Sequence, residues 1–134
     1  MNIFEMVSPA KVDFVDMLSK VLPMIAEELH LEGVPRIVLM KDIDDGAQPT
    51  FGHYDHENNV ITLAINNRHP IDIVRTLAHE MVHFKQNIDG RITPASGETG
   101  SPIENEAHAI AGIIMRKINK TYPEFLRSSC ISLS

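Results

Sequence analysis

The sequence contains a single cysteine, no tryptophan and no apolar run approaching the length needed to cross a bilayer. With Cys130 alone, neither an internal disulfide framework nor a cysteine-rich zinc cluster is available, so any metal falls to His, Asp or Glu. Cys130 itself lies in a short polar tail with no adjacent base and reads as a plain thiol, not a nucleophile. Lys and Arg form no long run and the formal net charge is -6, which argues against binding a nucleic-acid backbone. The opening "MNIFEMVSPAKVDF" lacks the basic start and continuous apolar core of a secretory signal, so a cytoplasmic setting with no membrane partner is expected.

What is present fits one domain. A chain of 134 residues with 43% hydrophobic and 22% charged residues has the material for one hydrophobic core, so residues 1–134 are expected to form a single domain. Ser8-Pro9 is a helix-start pair, and Val15, Leu18, Leu22, Ile25 and Leu29 follow at helical spacing, with Pro23 expected to bend or split the helix. "RIVLMK", "PTFGHYD" and "NVITLAI" read as strands, the last two joined through "DHENN" as an antiparallel hairpin. "DIDDGAQP" reads as an acidic loop without the spaced ligands of a calcium site.

In "NRHPIDIVRTLAHEMVHFKQNIDG", Pro70 starts a helix, Asp72 stands in its first turn and Gly90 lies just past its end. A Gly/Ser/Thr/Pro-rich loop over 89–102 follows, for which surface connection is the favoured role and a lid or docking loop the alternative. "IENEAHAIAGIIMRKINK" is a third helix, with an apolar stripe of Ile103, Ala107, Ile110, Ile114 and Ile118. The order is helix, three strands, helix, loop, helix, which is an α+β arrangement.

The stretch "HEMVH" carries the chemistry. At about 100° per residue, Val74, Leu77, Ala78, Met81 and Val82 share the core side, while His79 and His83 fall about 40° apart on the opposite side with Glu80 beside them. Two imidazoles one turn apart reach a single ion, which sets this stretch apart from two solvated histidines. Zinc held by three protein ligands leaves a fourth position for water, and Glu80 is placed to take that water's proton as it attacks an amide carbonyl. The third ligand belongs to the later helix, where Glu104, Glu106 and His108 are available; wheel geometry does not choose among them, since Glu104 and Glu106 both flank the apolar stripe at about 80°.

These residues resemble a gluzincin, the zincin branch of metallopeptidases with a glutamate third ligand. "HEMVH" matches H-E-x-x-H, and "NEAHAIAG" resembles the thermolysin-type N-E-A segment. "ENEAHAIA" is also similar to the pattern of small phage-immunity-type peptidases, and the likeness covers roughly residues 50–118. The resemblance implies a compact zincin-like domain built from an N-terminal helix, a small three-stranded sheet, an active-site helix and a C-terminal ligand helix. It implies one zinc ion per chain on His79, His83 and Glu106, with Glu80 as general base; His108 stands next for the third position because imidazole is itself a common zinc ligand. It also implies a protein or peptide substrate paired to one of the hairpin strands.

Two departures stand out: Ile110 replaces the usual Asp a turn after the ligand Glu, and no motif matches the family's distal His and Tyr donors. Tyr54, His53 and His56 are the candidate oxyanion donors, against a solvated role at the hairpin tip; His30 and His69 read as structural, and Tyr122 as a C-terminal packing residue. The rival reading is a catalytically silent zincin-like module in which zinc supports a binding surface. A deformylase would need an upstream cysteine ligand, and a three-histidine ribonuclease pattern is absent.

Overall fold

The computed structural model describes residues 4–6, 12–44, 49–93 and 101–133. The architecture is α+β: three helices pack on a mixed sheet. The elements are β1 (Phe4–Met6), α1 (Val12–Glu28), β2 (Arg36–Met40), β3 (Ile43–Asp44), β4 (Pro49–Thr50), β5 (Gly52–Asp55), β6 (Val60–Ala64), α2 (Pro70–Ile88) and α3 (Pro102–Thr121), followed by a 3-10 turn over Pro123–Arg127. The sheet runs β1-β2-β6-β5, with β2 parallel to both neighbours and β5 antiparallel to β6.

The three expected strands are in place and a fourth, β1, joins at the far edge. Its parallel pairing to β2 through α1 is a β-α-β crossover ahead of the hairpin. The expected strand "PTFGHYD" is broken at Phe51: Pro49–Thr50 pairs with Ile43–Asp44 as a separate two-stranded ribbon. Residues 45–48 of the acidic loop and the Ser8-Pro9 helix start lie outside the described residues. Pro23 does not split α1, which is one helix through Glu28.

Alternation along the strands sets one sheet face against the helices. Ile37 and Leu39 of β2 and Ile61 and Leu63 of β6 are fully buried, while Val38, Met40 and Thr62 between them are half-buried. Against that face lie Leu18, Val21 and Ile25 of α1, Val74, Leu77 and Met81 of α2, and Ile114 and Ile118 of α3. Each such side chain contributes roughly 1.5–3 kcal/mol by leaving water. Tyr122 stacks on Phe125, ring centroids 4.8 Å apart, and packs against this core.

Local chemistry starts and stops the helix that matters most. His69 is the N-cap of α2, its Nδ1 accepting from the Ile71 N–H at 3.0 Å, Pro70 follows at the first position, and Gly90 just beyond the end adopts φ +73°. His30 ends the α1 region at φ +56°. Of the two, the His69 side chain has the structural role of a helix cap. Arg68 then ties α2 to the sheet edge: its guanidinium donates to the carbonyls of Phe51, Ala64 and Asp72 and to Thr76 Oγ1 at 2.7 Å, and stacks on the Phe51 ring at 4.6 Å.

Candidate metal centre

Helix α2 turns Val74, Leu77, Ala78, Met81 and Val82 into the core and leaves His79 and His83 on the opposite side. Helix α3 crosses this exposed face. Its N-cap Ser101 accepts from the Glu104 N–H at 3.2 Å, and Ala107, Ala111 and Ile114 are its buried seam. The first turn of α3 thereby delivers Glu104 between the two imidazoles.

His79 Nε2, His83 Nε2 and the Glu104 carboxylate lie within 4.8 Å of one another and form the one such group among the described residues. The Nε2 atoms are 3.2 Å apart, His83 Nε2 is 3.3 Å from Glu104 Oε2, and His79 Nε2 donates to Glu104 Oε1 at 2.5 Å. A tetrahedral zinc with bonds of about 2.0–2.1 Å requires ligand–ligand edges of about 3.3 Å. Two edges lie close to that spacing and the third, at 2.5 Å, falls short of it by under about 1 Å, so His79, His83 and Glu104 would hold a zinc ion. The donor set of two imidazoles and one carboxylate suits zinc chemically as well.

The third position differs from the resemblance-based expectation. Glu106 does not face the histidines; its carboxylate is held by Arg91 through two contacts of 2.7 and 2.9 Å and by Gln86 Nε2 at 3.1 Å. The Arg91 and Gln86 hydrogen bonds hold its carboxyl below the ordinary range. Glu104 and Glu106 flank opposite sides of the α3 seam, and the crossing of α3 on α2 brings the Glu104 flank to the histidines. His108 lies at the rim, its ring centroid 4.5 Å from that of His79 and its Nε2 4.0 Å from Glu104 Oε1, with its side chain 70% exposed.

Glu80 sits beside this cluster, only 9% exposed. Burial pushes its carboxyl up to about 7; nearby His83 opposes the rise and Glu104 adds to it. Burial and the His83 imidazole lower His79, against the pull of Glu104.

The centre opens into a cleft of about 470 Å³ lined by Gly52, His53 and Tyr54 of β5, His56, Ile92 and Thr93. Residues 94–100 of the loop considered as a lid lie outside the described residues. Of the candidate oxyanion donors, Tyr54 is committed elsewhere: its hydroxyl donates to Asn59 Oδ1 at 2.6 Å and accepts from Asn87 Nδ2 at 2.9 Å, and burial raises its pKa. His53 and His56 remain on the cleft wall.

The sequence pattern passed over Gln86, one of two buried polar residues on α2, whose Oε1 lies 2.7 Å from His83 Nδ1. The available signal was its three-residue spacing from His83, which puts both on one arc of the helix. No protein-family model, characterised protein or solved structure matches the chain.

Proposed function

We propose that the protein is a zinc-dependent metallopeptidase, with His79, His83 and Glu104 holding one ion and Glu80 as general base. The observation that carries this reading is the convergence of both motif imidazoles and the Glu104 carboxylate beside the buried Glu80. No helix of the described residues is long and apolar enough to cross a membrane. The assignment of Glu104 replaces the expectation of Glu106, whose carboxylate is taken up by Arg91 and Gln86.

The ion, when bound, supplies Lewis acidity toward a carbonyl and water. The chain's own residues do the rest. Glu80 accepts a proton at its carboxylate as water adds to the scissile carbonyl carbon, then passes that proton to the amine as the C–N bond breaks. Its burial keeps competing water off the carboxylate and raises its affinity for a proton, which suits a group that must both take and return one. Strand β5 is an edge of the sheet and lines the same cleft, so its outer backbone groups offer pairing for an extended peptide alongside the reacting groups.

The test is Glu80→Gln, assayed on a peptide library by mass spectrometry. The account expects zinc to stay bound while hydrolysis falls by about 10²–10⁴-fold. Cleavage that is absent in wild type, with zinc bound to both proteins, would support the silent binding module and reject the peptidase.

A further inference from the structure

A histidine ligates through one ring nitrogen only if the other carries the hydrogen, and the partner of that second nitrogen decides which is which. In His83 the second nitrogen is Nδ1, 2.7 Å from Gln86 Oε1. An amide oxygen only accepts, so Nδ1 carries a hydrogen, and in the neutral ring Nε2, on the side of His79 and Glu104, is the nitrogen left with a lone pair.

The orientation of the Gln86 amide is itself determined by its surroundings. Its Nε2 donates to the Ile103 carbonyl at 3.0 Å and to Glu106 Oε1 at 3.1 Å. Both partners there are acceptors, so a flipped amide would set its oxygen against two oxygens. Gln86 is 1% exposed, so no solvent competes for either end. Arg91 clamps Glu106 from outside with two parallel N–H···O contacts.

We infer that Gln86 is a positioning residue for the metal centre, fixing His83 in the Nδ1–H form with Nε2 toward the ion, and that Glu106 and Arg91 hold Gln86 in place. This rests on the metal-centre reading above. It gives Glu106 a role that does not require ligation. A neutral amide here orients the ring without adding a negative charge next to Glu80 and Glu104.

Two measurements test it. The first is the His83 tautomer, read from imidazole ¹⁵N shifts in chelator-treated protein, which separate the Nδ1–H, Nε2–H and doubly protonated rings. Nδ1–H is expected in wild type, and an Nε2-protonated His83 would overturn the inference. The second is zinc affinity by chelator competition, expected to weaken about 10–100-fold in Gln86→Leu. Affinity equal to wild type in folded Gln86→Leu would overturn the role of Gln86 alone, whereas wild type that binds no zinc would overturn the metal centre itself. Should Gln86→Leu fail to fold, Gln86→Met takes its place: it keeps the length of the side chain without the amide, the same weakening of about 10–100-fold is expected, and wild-type affinity in the folded variant counts against the inference.

Discussion

Glu80→Gln is expected to stabilise the protein once metal is stripped by chelator. The Glu80 carboxyl is pushed up to about 7 from an ordinary 4.5, chiefly by burial. Between those values the unfolded chain has lost the proton that the folded chain keeps, so stability falls as pH rises from about 4.5 to about 7 and is level above that. At about 1.4 kcal/mol per pH unit, the buried charge costs about 3 kcal/mol at pH 8. Glutamine keeps the shape and removes the charge. The variant should therefore match wild type within about 1 kcal/mol near pH 5 and exceed it by about 3 kcal/mol near pH 8. In urea, with a denaturant slope of about 2 kcal/mol/M, the pH 8 midpoint rises by about 1.5 M. Equal midpoints at both pH values would show that Glu80 ionises in the fold without penalty and would refute the reasoning.

The packing of β5 on α2 is testable at Gly52, where an added Cβ would overlap Thr76 Cγ2. Gly52→Ala should cost about 1–3 kcal/mol in chemical denaturation, and Thr76→Ser, which deletes that methyl but keeps the hydroxyl bonded to Arg68, should restore most of it; no loss, or no rescue, contradicts the close approach. Removing the α2 cap by His69→Ala should cost about 1 kcal/mol, a drop of about 3–5 °C in Tm, while His69→Asp should hold near wild type; equal Tm for the alanine variant would remove the capping role.

Much of the scaffold was legible because its signals are local. Pro70, Asp72 and Gly90 bracket α2, and the same wheel that buries Leu77 and Met81 exposes His79 and His83. The β5–β6 hairpin shows in its alternation and short turn. What escaped depends on distant partners. Strand β1 is three residues long and exists through its parallel pairing to β2. The break at Phe51 separates the two-stranded ribbon from β5, and neither its partner β3 nor the contact of Gly52 with Thr76 shows in local propensity. Glu104 and Glu106 stand about 160° apart on α3 with the apolar stripe between them, so their own helix makes them equivalent. The crossing angle of α3 on α2 breaks the tie, together with Arg91, which lies beyond α2 and takes Glu106. Gln86 was the one missed residue with a local signal, a buried amide three positions after a histidine.

Glu104, and not Glu106, is the residue proposed to complete a metal site with His79 and His83. Metal content per chain, measured on protein purified without added metal and again after zinc loading and desalting, tests it in wild type, His79→Ala, Glu104→Ala and Glu106→Ala. Loaded wild type is expected to carry about one zinc per chain, retained in Glu106→Ala and lost in the His79 and Glu104 variants. Wild type that cannot be loaded, or zinc that survives at Glu104→Ala and is lost at Glu106→Ala, would contradict it.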